Sequence, residues 1–187
     1  MKPILIDFPD DIYTERLWIR KPMPGDGKAV YDSMQASLPE LKDWMPWAHK
    51  KQTEEDVEVN IREAHVKFLA REDLRLHIFD KETRELIGCT GLHRINWDIP
   101  KFEIGYWIDT RFSGRGYMVE AVQGITDFAL SELKAKRIEI RCDSKNVRSR
   151  AIPEKLGYIL EGILKNEGLS ADGKDVRDTC VFAISYN

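Results

Sequence analysis

Apolar residues recur along this chain at two different periods. Over 74–79, Leu76 and Ile78 alternate with Arg75 and His77, the two-residue repeat of a strand with one buried face. Val57, Ile61, Ala64 and Phe68 recur every three or four residues, the repeat of a helix face. That helix opens at Thr53-Glu54-Glu55-Asp56, a capping-box pattern with Asp in place of the usual Glu, and is expected to run to about Arg71. The same reading predicts strands over 14–20, 74–79, 86–94, 102–108, 137–142, 158–164 and 176–185. Further helices are predicted from Asp26 to Leu38-Pro39, from Tyr117 with Met118, Val122, Ile125 and Ala129 on one stripe, and from Asn146 to Leu156, with Gly157 as the stop. Residues 38–52, rich in Trp and Pro, read as irregular. The order implies a mixed α/β fold whose sheet is mostly antiparallel, with one strand–helix–strand unit after the middle of the chain.

That unit contains Arg111-Phe112-Ser113-Gly114-Arg115-Gly116-Tyr117-Met118, between the 102–108 strand and a long amphipathic helix. The first N–H groups of a helix have no partner within it, and the helix dipole adds partial positive charge there, so such a turn attracts anions. Gly114 and Gly116 let the backbone turn and approach a phosphate, and Arg111 and Arg115 add positive charge. A P-loop would need Lys and then Ser or Thr after its last glycine, where this chain has Tyr117-Met118. A dinucleotide fingerprint would need three spaced glycines on the first strand–helix turn. Neither pattern fits, and a diphosphate seat of another kind is expected.

The chain has 187 residues, 42% apolar and 33% charged, which suits one domain (1–187) with a full core. Its net charge of −3 gives no general attraction to nucleic acid. No apolar run approaches the ~20 residues that span a bilayer, so no membrane partner is expected. Cys89, Cys142 and Cys180 are odd in number and unpaired in spacing, which points to a reducing, cytoplasmic setting. His49, His65, His77 and His93 show no metal-ligand spacing, and no metal is expected.

The turn resembles the Gln/Arg-x-x-Gly-x-Gly/Ala loop of the GNAT superfamily of acetyl-CoA-dependent N-acetyltransferases. Further matches follow in order: the 137–142 strand, Asn146 and Ser149 as Asn-x-x-Ser, Leu156-Gly157-Tyr158, and Leu160-Glu161-Gly162. Upstream, Trp44-Met45-Pro46-Trp47 is similar to a turn of the RimJ/RimL branch, the ribosomal-protein N-terminal acetyltransferases. The resemblance covers roughly residues 14–186. It implies about seven strands and four helices, with a V-shaped splay between the fourth and fifth strands.

The resemblance also assigns roles. The N–H groups of Phe112, Ser113, Gly114, Arg115, Gly116, Tyr117 and Met118, with Arg111, would hold the diphosphate of acetyl-CoA. The backbone at Trp107 and Ile108 would bond the pantetheine arm, and the Asn146 side chain would add a bond to the cofactor. Ser149 would donate to the thioester sulfur, against a plainer reading as a helix cap. Acetyl transfer needs a neutral amine and a stabilised oxyanion. An α-amine, with a reference pKa near 8, is about a tenth neutral at pH 7, so a carboxylate acting through water would suffice. Glu103 is the first expectation for that base and Glu167 the second, each against a plainer reading as a solvated surface carboxylate, which is the favoured one for Glu167. Trp44 and Trp47 would wall the acceptor groove, Trp47 before Trp44, against a plainer reading of the turn as a hydrophobic plug beneath the first helices. The acceptor expected is a protein N-terminus, with a small-molecule amine or a non-catalytic acyl-CoA sensor as alternatives. A homodimer is left open by the sequence.

Overall fold

The computed structural model describes residues 2–186. Its strands are β1 (Asp11–Tyr13), β2 (Leu17–Arg20), β3 (Leu74–Asp80), β4 (Leu86–Asn96), β5 (Lys101–Ile108), β6 (Arg137–Asp143), β7 (Ile159–Leu169) and β8 (Val176–Ser185). The α-helices are α1 (Gly27–Ala36), α2 (Leu38–Lys42), α3 (Glu54–Ala70), α4 (Tyr117–Ser131) and α5 (Val147–Lys155). All eight strands form one sheet in the order β1-β2-β3-β4-β5-β6-β8-β7. Every neighbouring pair is antiparallel except β5 with β6, which sandwich α4 in the chain.

Two elements go beyond the seven strands and four helices expected. β1 has three residues, too few to show a period, and pairs with β2 through Ile12 and Ile19. Residues 14–16, expected inside the first strand, instead form the turn between these two, closed by Thr14 N–H to the Leu17 carbonyl. The helix α2 begins at Leu38-Pro39, which the sequence suggested as a stop. Proline is tolerated in a first helical turn because its missing N–H would have no partner there anyway. The Thr53 capping box forms as expected: Thr53 Oγ1 accepts from Asp56 N–H, and Asp56 accepts from Thr53 N–H at 2.8 Å.

The sheet separates two apolar layers. On one face α4 lays Met118, Ala121, Val122, Ile125 and Ala129 against Leu76, Ile78, Phe102, Ile104, Ile138 and Ile140. Burying one such aliphatic side chain stabilises by about 1.5–3 kcal/mol. On the other face α1 and α3 pack Val30, Met34, Val57 and Ile61 over Phe79 and Leu86, with Trp47 and Trp107 at the border. The alternation of β3 therefore sends Arg75, His77 and Phe79 to the α1/α3 side.

Candidate active site

Beside its antiparallel partners, the β5–β6 pair is short. It runs from Lys101↔Arg137 to Ile104↔Ile140 and ends. Beyond that point β5 stays bonded to β4 as far as Ile108, and β6 to β8 as far as Asp143. Each strand keeps its outer neighbour while the two part, which is the expected V-shaped splay. A cleft of about 710 Å³ opens there, lined by Gly105, Tyr106 and Trp107 on one lip and by Arg141, Cys142, Asn146 and Ser149 on the other. Tyr106 ties the lips together. Its hydroxyl donates to the Ser149 carbonyl at 2.8 Å and accepts from Ser149 Oγ at 3.3 Å. Burial pushes the Tyr106 phenol well above its usual range, so it stays a neutral hydroxyl.

Asn146 is the N-cap of α5, its Oδ1 accepting from the Ser149 N–H at 3.0 Å. The capping role considered for Ser149 thus falls to Asn146, and the Ser149 hydroxyl remains at the cleft wall. Cys142 also borders the cleft, but burial raises its thiol to about 11, which makes it inert as a nucleophile at neutral pH.

The turn after β5 is pinned at its start. Buried Asp109 accepts from the Arg111 N–H and holds the Arg111 guanidinium at 2.6 Å, and Thr110 N–H donates to the buried Ser37 Oγ. Arg111, expected to add positive charge to the turn, is paired with Asp109 and its side chain stays largely exposed. Gly114 and Gly116 have φ of +77° and +78°, the left-handed region that favours glycine. Gly116 is the N-cap of α4. Among the described residues, the N–H groups of Gly114, Arg115 and Gly116 have no backbone acceptor. A second cation, missed in the sequence, sits beside them: Arg16 donates to the Arg115 carbonyl at 3.0 Å and stacks over the Tyr117 ring at 4.4 Å. Its guanidinium is fixed by Glu120 at 2.6 Å. Ser113, Tyr117 and Met118 complete the turn, with Phe112 edge-on to Tyr117 at 6.3 Å.

Trp44 and Trp47 both line the cleft, Trp47 edge-on to Trp107 at 5.9 Å. Glu103 and Glu167 are not among the described residues that line it. Glu103 lies opposite His93 on β5 and faces Arg94 at 3.5 Å, while Glu167 is held by Arg141 at 3.0 Å. Two histidines do line it. His77 is fully buried and its Nδ1 lies 2.9 Å from Asp26, which also takes a two-pronged bond from Arg20 at 2.7 Å. Burial raises the Asp26 carboxyl, but bonds from Arg20 and His77 outweigh it and hold it far below its usual range. Burial lowers the pKa of His77, with Asp26 opposing, so the ring is neutral. His93 is more open, its Nδ1 lying 2.7 Å from Asp73. Among the described residues no group of three or more His, Cys, Asp or Glu is placed to hold a metal ion.

An extended ligand with a diphosphate at one end and a reactive group at the other fits this arrangement. The N–H groups of the glycine turn are free to meet a diphosphate, and the parted strand edges are free to bond the arm that follows. Acyl-CoA thioesters have this shape, and the fold and site suit an acyl-CoA-dependent transferase. Residues 16–159 match the acetyltransferase (GNAT) domain, and the chain belongs to that family of acetyl-CoA-dependent N-acetyltransferases. The YdaF protein of Bacillus subtilis is 36% identical over 88 residues, 47% of this chain and 48% of that protein. The ribosomal-protein-serine acetyltransferase of Escherichia coli is 28% identical over 148 residues, covering 79% of this chain and 82% of that one. In fold the chain is similar to RimL, the ribosomal L7/L12 alpha-N-protein acetyltransferase solved with coenzyme A, with a TM-score of 0.86, 20% identity, and 94% and 97% of the two chains covered.

Proposed function

We propose that this enzyme acetylates the N-terminal amine of a protein, by direct transfer while donor and acceptor share the cleft. The observation that carries this is the cleft itself: the splay opens onto the Trp44–Trp47 turn, and Asp43, Asp56 and Glu63 on its wall attract an α-ammonium. A ribosomal protein is the acceptor class favoured by the relatives' names. In this reading the N–H groups of Gly114 to Met118 hold the diphosphate, with Arg16 and Arg115 beside it. The edges at Trp107 and Ile108 and the Asn146 amide bond the pantetheine arm, and a main-chain N–H on the β5 lip polarises the thioester carbonyl. The Ser149 hydroxyl turns from Tyr106 to donate to the departing sulfur. The chain acts as one domain in the cytoplasm. Exposed Ile159, Ile163 and Leu164 on the edge strand β7 support a homodimer, which sedimentation would test.

Incubation with acetyl-CoA and a panel of peptides with free N-termini, beside small amines, tests the acceptor. Mass spectrometry should find the acetyl group on the peptide α-nitrogen, and exclusive modification of small amines would refute the reading. In the same assay Ser149→Ala should lower kcat at unchanged acetyl-CoA affinity. Gly116→Val, by forcing a branched side chain to positive φ, should weaken acetyl-CoA binding by about tenfold or more in calorimetry.

A further inference from the structure

We propose that His93, oriented by Asp73, is the group that takes the proton from the acceptor amine. This rests on the reading that the cleft transfers acetyl to an amine.

Asp73 fixes the tautomer. Its carboxylate can only accept, so at 2.7 Å the neutral ring carries its proton on Nδ1 and presents a bare lone pair at Nε2. The glycines beneath the ring fix its place. A Cβ on Gly91 would fall 2.9 Å from His93 Nε2, and one on Gly105 would fall 3.4 Å from it. Both positions must stay free of side chains for the ring to lie flat across β4 and β5. Gly105 is the first residue of β5 beyond the last bonded pair, Ile104↔Ile140. The Nε2 atom therefore stands where the splay begins, in the cleft that Ser149 and Trp47 also line.

The two carboxylates expected from the sequence are occupied and lie outside the cleft lining. Glu103 faces Arg94 and Glu167 faces Arg141. His77 has the same kind of partner as His93 but is sealed from solvent. Other charged groups lining the same cleft are Asp43 ahead of α3, Asp56 and Glu63 on α3, Arg75 on β3, Arg141 and Asp143 on β6, and Arg177 on β8. Arg75 is tied to Asn60 at 2.6 Å.

The proton balance closes. His93 Nε2 accepts one proton from the acceptor ammonium, and the freed amine nitrogen bonds the thioester carbonyl carbon. The C–S bond breaks, the thiolate takes the second amine proton with Ser149 as relay, and the imidazolium returns its proton to water. Asp73 is a positioning residue that acts through His93.

The test follows kcat/KM against pH. His93→Gln should lose about a hundredfold near pH 6.5 and approach the unaltered enzyme near pH 9, where an amine of pKa near 8 is already free. Its acetyl-CoA affinity should be unchanged. Asp73→Asn should lower kcat/KM near pH 6.5 and leave it close to the unaltered enzyme near pH 9, as His93→Gln does. A loss under about twofold, or one that is constant across pH, would overturn the assignment. Nitrogen chemical shifts of His93 in the unaltered enzyme give a second arm that needs no acceptor and no variant. Protonated Nδ1 with bare Nε2 supports the proposal, and the opposite tautomer overturns it. If the peptides stay unmodified while the Nδ1–H tautomer is found, the peptide-acceptor reading fails and the dyad stands on small amines.

Discussion

His77 with Asp26 and His93 with Asp73 are the same two side chains in nearly the same contact, on neighbouring strands of one sheet face. Their surroundings separate them. The His77 pair is closed under α1, with His77 wholly buried and Asp26 clamped by Arg20, whose guanidinium lies over the Phe79 ring at 4.4 Å. The Nε2 of His77 is buried with no partner among the described residues. The His93 pair is about a third exposed and sits at the mouth of the splay. A sealed pair can fasten a helix to a sheet, but its ring is closed off from solvent. An open pair contributes little to stability and can exchange a proton with whatever enters the cleft. Burial, not residue type, assigns the two roles.

The largest effect expected from this contrast is on stability. Asp26→Ala strands the Arg20 guanidinium in a site that is almost closed to water, and should cost about 3–5 kcal/mol in denaturant unfolding. A cost below that of a surface pair would erase the distinction.

Acid should sharpen it. Burial holds the folded His77 below its ordinary 6.5, so below that pH the unfolded chain binds a proton that the folded chain refuses. The His77 contribution is complete above about pH 6.5 and is lost as pH falls from there toward the folded value. The midpoint of thermal unfolding should drop between about pH 6.5 and 5, and His77→Gln should flatten that slope. A second loss belongs below pH 3.8, where Asp26 begins to be protonated in the unfolded chain.

The smallest effect is expected at the open pair. Asp73→Ala should change stability by less than about 1 kcal/mol, as for other partly exposed ion pairs, while still lowering turnover. A stability loss equal to that of Asp26→Ala would make both pairs fasteners.

Much of this site was legible in one dimension because its signals are local. Gly114 and Gly116 announce a turn that needs positive φ, and the apolar stripe from Met118 to Ala129 announces the helix it opens. Asn146 and Ser149 stand one helical turn apart, so their shared place at one lip followed from spacing. Arg16 was missed because its contacts with Arg115 and Glu120 cross about a hundred residues of chain. Asp73 and His93 were missed for a similar reason: strand pairing brings them together, and no motif marks either. The pairing of Arg111 with Asp109, two residues away, was not visible either, because Asp109 reads as an ordinary surface acid until burial is known.

Unaided, the amino-acid order determined the period of each main element, the glycine turn and the cap of α3, since each depends on neighbours within a turn or two. The point at which β5 leaves β6, the sealing of one histidine and the opening of the other depend on which distant segments cover which strand. Those were decided only by the packed sheet, because desolvation and register are properties of the assembled layers and not of any stretch of chain.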